Sequence, residues 1–190
     1  MKKIFIILIS TLLLPGCYDC LYRTLHFIQY EGTHRGKIVD ADTGAPIEGV
    51  VVLGTWSRVY PNVAGASHEL YDARETVTDK NGEFSIPGMG LKLLSNVEEM
   101  NVLIFKSGYE YIGTMPWVTL RRDSTMLQKV KWEDDRAIIS LKKLTMDERK
   151  KGFGPPSPPD EALKEKIKLM LWEINKDRSE QGLRAIDVGR

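Results

Sequence analysis

The sequence predicts an all-β fold, an antiparallel Greek-key β-sandwich, followed by a C-terminal amphipathic helix. Three observations carry that expectation. From Gly36 to Gly88, short apolar runs alternate with Gly, Pro, Asp and Asn turns. Asn101 to Phe105 is almost wholly apolar, as expected of a strand covered on both faces. Leu163, Ile167, Met170, Leu171 and Ile174 then recur at the helical period and form one stripe.

At 190 residues and 42% hydrophobic composition, the chain is long enough for one folded domain with extensions. It carries 27 Lys and Arg against 26 Asp and Glu; without Lys2 and Lys3 the balance is 25 to 26, a charge near −1. That balance leaves no electrostatic footprint for nucleic acid. Two cysteines, Cys17 and Cys20, cannot build a disulfide framework.

Residues 1–16 have the three parts of a secretory signal. Lys2 and Lys3 form a positive n-region, Ile4 to Leu14 is an uncharged run too short to span a bilayer, and Gly16 stands directly before Cys17. Leu14-Pro15-Gly16-Cys17 resembles the bacterial lipobox, with Pro15 departing from the residue usual at its position. The resemblance implies cleavage before Cys17, lipid on that cysteine, and membrane attachment through it. The alternative is ordinary cleavage with Cys17 kept as a thiol. Tyr18 follows, and the absence of Asp at that position implies the outer rather than the inner membrane. The expected location is therefore the bacterial cell envelope, facing the periplasm.

Cys17-Tyr18-Asp19-Cys20 also spells C-x-x-C, but no strand precedes it and no helix start follows, so redox use is not expected. A zinc site would need further ligands, and only His26, His34 and His68 remain. Residues 17–33 read as a tether holding Tyr22, Phe27 and Tyr30; whether it adds an edge strand is left open by the sequence.

The sandwich is expected over 34–144. Its first strand runs through Ile38 and Val39 to a turn at Asp42-Thr43-Gly44. The second, Gly49 to Ser57, places Val50, Val52, Gly54 and Trp56 on one face and Val51, Leu53 and Thr55 on the other. Pro61 is expected to stop it, with a loop to Arg74. Glu75 to Thr78 and Glu83 to Ile86 read as a hairpin closed by Asp79-Lys80-Asn81-Gly82. Leu91 to Met100 is read as a short helix or a crossover, and Tyr111 to Arg136 as a long connection holding Pro116, Trp117 and Trp132. Ala137 to Leu141 is the last strand.

Residues 145–157 read as a linker and 158–181 as the helix, with Ser157 at its N-cap, Pro158 at its first position and Gly182 at its end; 182–190 is a polar tail. The apolar stripe either docks on the outer face of the sandwich, the usual fate of such a stripe, or binds a partner with Trp172 as an exposed anchor.

These residues together resemble the carboxypeptidase regulatory-like domain, a transthyretin-like sandwich. The matching positions are Gly36 and Asp40; Thr43, Gly44, Pro46, Ile47, Gly49, Val50 and Val52; Thr78, Asp79, Gly82 and Phe84; and Gly108 with Tyr109. The resemblance implies a module without catalysis of its own. The residues agree. His68-Glu69 is followed by no second His, there is no Gly-x-Ser-x-Gly, and Asp79 to Gly90 lacks the terminal Glu of a calcium loop. No enzyme, metal or cofactor is expected. Two functions remain: an envelope lipoprotein that binds another protein as an accessory or scaffold, or a module for carbohydrate or another small ligand. Candidate contacts are Trp56, Tyr60, Tyr71, Trp117 and Trp172, with core burial the plain expectation for the four aromatics of the sandwich.

Overall fold

The computed structural model of the chain describes residues 28–63, 65–93, 96–122, 128–151 and 161–187. Residues 1–16, read from the sequence as a signal, and Cys17, Cys20, Ser157 and Pro158 lie outside the described residues. The fold is rich in β structure, with strands arranged in three sheets and short helices between and after them. In chain order the strands are β1 (Ile28–Glu31), β2 (His34–Asp40), β3 (Val51–Asn62), β4 (Gly65–Val77), β5 (Glu83–Ile86), β6 (Gly90–Leu93), β7 (Asn101–Phe105), β8 (Ile112–Pro116), β9 (Val130–Glu133) and β10 (Arg136–Leu141).

Two four-stranded sheets, ordered β5-β2-β10-β9 and β4-β3-β7-β8, share one apolar core. The strand alternation read from the sequence sets that core. Ile38, Phe84, Ile86, Ala137, Ile139 and Leu141 face it from the first sheet, and Val52, Trp56, Val102 and Ile104 from the second. One pair is parallel: β2 lies beside β10 in register Ile38↔Ile139. The first sheet is therefore mixed rather than purely antiparallel.

Asp79 to Gly82 does not close a hairpin. β4 pairs with β3 in one sheet and β5 pairs with β2 in the other, so this turn carries the chain between sheets. Asp79 Oδ1 accepts the amides of Asn81 and Glu83 at 2.9 Å, and Gly82 takes φ 75°. The local chemistry is what the sequence indicates; what differs is the partner each strand finds. Pro61 does not stop β3 either. It pairs with Ala66 next to the turn of a long β3–β4 hairpin, where a missing N–H costs least. The connection from Tyr111 to Arg136 contains β8, a short helix α1 (Thr119–Arg122), and β9.

The putting-together of the outer face follows from the second side of β3 and β7. Val51, Leu53, Leu103 and Phe105 point away from the inter-sheet core and are covered by Leu163 and Ile167, with Met170, Leu171 and Ile174 beyond. The C-terminal segment is a 3₁₀ turn at Glu161–Lys166, then α3 (Lys168–Glu180). Residue Ile167 stands at the N-cap of α3 without a side-chain cap; Glu75 of β4 supplies one instead, accepting Leu169 N at 3.0 Å and Met170 N at 2.7 Å. Gly182, at φ 73°, ends the helix: Leu183 N returns to Arg178 O and Gly182 N to Ser179 O.

A helix also lies in the stretch read as linker. α2 (Met146–Lys150) starts with a capping box, Thr145 bonding Glu148 N and Glu148 bonding back to Thr145 N. It delivers Arg149 into a buried polar knot between α3 and the end of β7. There Arg149 Nη2 meets Asp177 Oδ1 and Glu180 Oε2, the latter at 2.9 Å, while Ser107 N donates to Glu173 Oε1 at 2.9 Å.

Candidate functional site

At one end of the two-sheet body a cleft of about 540 Å³ opens between the start of the described chain and the β8–β9 connection. Its floor is made by Glu31, the last residue of β1. β1 pairs with β6 as a two-stranded ribbon in register Glu31↔Gly90, so it lies within the 17–33 stretch read as tether. Burial pushes the Glu31 carboxyl up. It is outweighed by bonds from His34 and Trp56, the Lys92 charge and the Met100 amide, which together hold the pKa at about 2. The distances are 3.1 Å from His34 Nε2, 2.8 Å from Trp56 Nε1, 3.5 Å from Lys92 Nζ and 3.1 Å from Met100 N. Because Glu31 is ionised, it accepts and the His34 Nε2 proton donates.

Above that floor stand three rings. His34 opens β2 three residues after Glu31, Trp117 follows β8, and Trp132 lies on β9. The centroid of Trp117 is 5.2 Å from that of His34 and 5.7 Å from that of Trp132, with interplanar angles of 68° and 84°. Such edge-to-face contacts are the favoured aromatic geometry and fix the rings without closing the space between them. Phe84 of the core backs Trp117 edge-on, and Arg121 of α1 stacks 4.2 Å over Trp132 while its Nη2 donates to Asp134 O. A shallower groove of about 680 Å³ shares Gln29, Glu99 and Val118 with the cleft and extends it along Val59, Asn96 and Pro116.

The structure does not bring the expected contact residues together. Trp117 forms a wall of the cleft. Trp56 is 0% exposed; it is a core residue whose indole serves Glu31, and no ligand can stack on it. Tyr60 and Tyr71 are on the β3–β4 hairpin around Arg58, whose guanidinium sits 4.6 Å over the Tyr71 ring, and neither lines the cleft. Trp172 is 64% exposed on the solvent side of α3, with Lys176 Nζ 5.7 Å from its ring. Cys17 is outside the described residues.

Glu31, Trp132 and Arg121 escape a reading of the sequence because their partners are far along the chain. The signal for Glu31 was present only as a carboxylate one residue from Tyr30 in a short alternating run. Among the described residues, no group of three His, Cys, Asp or Glu is placed to hold a metal ion, and no helix is long and apolar enough to cross a membrane.

No protein-family model matches the chain, and no curated protein matches it. Two solved structures are similar in part. A group B streptococcus pilus 2b backbone protein matches at 16% identity and TM-score 0.33, over 60% of this chain and 42% of that one. A 3-chlorocatechol 1,2-dioxygenase from Rhodococcus opacus 1CP matches at 17% identity and TM-score 0.31, over 61% and 62%. The chain thus spans less than two thirds of either structure, and at these scores neither bears on function.

Proposed function

We propose that this chain is a cell-envelope lipoprotein whose body is a non-catalytic binding module, and that the His34–Trp117–Trp132 cleft is its binding site for an envelope carbohydrate. The body is read as a transthyretin-like, carboxypeptidase regulatory-like Greek-key sandwich, on the strength of the residues from Gly36 to Tyr109 that carry that resemblance. Lipid on Cys17 holds it to the membrane, facing the periplasm and on the outer membrane, because Tyr18 rather than Asp follows the cysteine.

The observation that carries the binding reading is the cleft itself: a concave space of ligand size, walled by aromatic rings, floored by a charged pair, and continued by a groove. Sugars are bound by such a mix, with apolar ring faces against aromatics and hydroxyls to charged or amide groups. An elongated groove suits an oligomer better than a single small molecule. A glycan array probed with full-length protein and with Trp117→Ala tests this: signals that the substitution abolishes support the reading, and signals indifferent to it refute it. Metabolic labelling with a radioactive fatty acid, compared with Cys17→Ser, tests the anchor.

The protein-binding reading has one observation of its own. Trp172 and Leu169 are exposed one helical turn apart on α3. The stripe of α3 itself is occupied by the outer sheet, so a partner on this helix would meet only its outer side.

A further inference from the structure

The β1–β6 ribbon is built inside out. Tyr30 and Leu91 stand directly opposite each other, so their side chains share a face. That face is the outer one: Tyr30 is 78% exposed and Leu91 61%. The neighbouring residues, Glu31 and Lys92, point the other way and are buried, forming an ion pair at 3.5 Å. A ribbon in water is expected to place its apolar pair inward and its charges outward. Here the charges are inside, held by Trp56, His34 and the Met100 amide, and the apolar pair faces outward.

The position of the ribbon in the chain says what covers it. β1 begins at Ile28, and only the ten residues 18–27 separate it from Cys17. That length reaches at most about 40 Å when fully extended. Those ten residues include Leu21, Tyr22, Leu25 and Phe27, side chains that partition into a bilayer interface. The rest of the body follows the ribbon, so of all described elements β1 is nearest in sequence to the anchor.

We infer that the outer face of the β1–β6 ribbon, Tyr30 with Leu91, rests on the bilayer interface to which Cys17 is anchored. The inference relies on the proposed lipidation of Cys17. Two side chains alone are too little to draw a protein from solution onto a membrane. With the anchor in place the contact is intramolecular, and a weak patch suffices. Tyrosine is suited to the position, its ring among acyl carbons and its hydroxyl among headgroups. Tyr30 also lines the cleft. The contact therefore sets the cleft mouth at headgroup height, where it meets glycans borne by the membrane.

The test uses full-length lipidated protein, reconstituted in phosphatidylethanolamine–phosphatidylglycerol vesicles. In a Cys20→Ser background, Leu91→Cys and, separately, Asp42→Cys carry an environment-sensitive fluorophore; both positions are exposed, and Asp42 lies past the end of β2 opposite to His34 and the cleft. Lipids bearing a nitroxide on the acyl chain are then added. The inference expects blue-shifted emission at position 91 and quenching about twofold or more above that at position 42. Equal quenching at the two sites overturns it. Blue-shifted emission at 91 without lipid quenching also overturns it, and assigns the cover to the chain's own 18–27 segment or to a second copy. Flotation of the vesicles separates the two claims. Protein that floats but shows no excess quenching sinks this inference alone; protein that does not float sinks the anchor and the inference together.

Discussion

Trp56 donates its indole proton to Glu31 Oε2 at 2.8 Å, and this one bond joins the first described strand to the centre of the second sheet. Glu31 is a buried anion that accepts from His34, Trp56 and the Met100 amide and pairs with Lys92. Removing it leaves the Trp56 indole and the Met100 amide without their acceptor, and the Lys92 ammonium, which keeps the Val97 and Glu98 carbonyls, without its counter-charge. Glu31→Ala is expected to cost about 3–5 kcal/mol, the range for breaking a buried charged pair. Glu31→Gln, which keeps an acceptor oxygen, is expected to cost less. Urea unfolding followed by tryptophan fluorescence reads both.

The same carboxylate sets an acid limit. Its folded pKa, about 2, is below the ordinary 4.5. The unfolded chain therefore binds the proton more readily, and the stability due to Glu31 is complete above about pH 4.5 and lost as the pH falls towards 2. Unfolding free energies measured across that window should fall more steeply in the wild type than in Glu31→Gln. Parallel slopes would show that the Glu31 ion contributes nothing.

Gly36 marks a place where two backbones and a ring meet. A Cβ on it would lie 2.5 Å from Phe84 Cε1 and Cζ and 2.9 Å from the carbonyl oxygen of Ala137. The Phe84 ring is buried in the inter-sheet core and β10 is fixed in the sheet, so neither gives way freely. Gly36→Ala is expected to destabilise by about 1–3 kcal/mol through overpacking. A Phe84→Leu substitution in the same chain should return part of that loss, as a thermal melt would show.

The attachment of the C-terminal helix rests on Arg149 as well as on apolar contact. Arg149 bonds Asp177 and Glu180, and both Arg149 and Asp177 are buried. Arg149→Met leaves Asp177 without its cation and is expected to cost about 3–5 kcal/mol. Arg149→Met with Asp177→Asn should cost clearly less than the two single changes summed, because the stranded charge is gone. A double-mutant cycle by chemical denaturation reads the coupling. Hydrogen exchange at the Leu171 and Ile174 amides shows whether α3 detaches.

The sequence announces the parts of this fold that depend on near neighbours. The alternation in Val50 to Trp56, the burial of Leu163 to Ile174 on one side and the helix stop at Gly182 appear in the structure, but the continuous helix expected there is a 3₁₀ turn holding Leu163, a break at Ile167 and then α3. Thr145 and Glu148 form a capping box that was legible three residues apart, in a stretch whose Gly and Pro content suggested a linker. Pairing between distant strands is another matter. Asn81-Gly82 makes the turn its chemistry requires, yet its flanking strands go to different sheets. Whether a turn closes a hairpin or crosses between layers depends on where β2 and β3 already lie, which local residues do not encode.

The cleft was less legible still. Trp117 could be singled out as a candidate contact, but so could Trp56, and only packing distinguishes a wall from a core. Glu31, His34, Lys92 and Trp132 come from four strands. The β1–β6 pairing brings Glu31 to Lys92, while His34 and Trp132 stand on β2 and β9 of another sheet; the β1–β6 pairing rests on a four-residue strand with no strong turn beside it. The buried carboxylates Glu173 and Asp177 were hidden for the opposite reason. They share the covered side of α3 with the apolar stripe, where a polar residue is not expected unless a partner such as Arg149 is supplied from elsewhere.

The central claim is that the cleft around Trp117 and Trp132 binds a sugar chain. It is tested most directly by titrating the full-length protein in detergent with chitotetraose and with a muramyl disaccharide while recording tryptophan fluorescence, beside Trp117→Ala. Saturable change in the wild type with at least one of these sugars, weakened about tenfold or more by the substitution, is the expected result. Full-strength binding by Trp117→Ala, or no saturable change with either sugar, would contradict it.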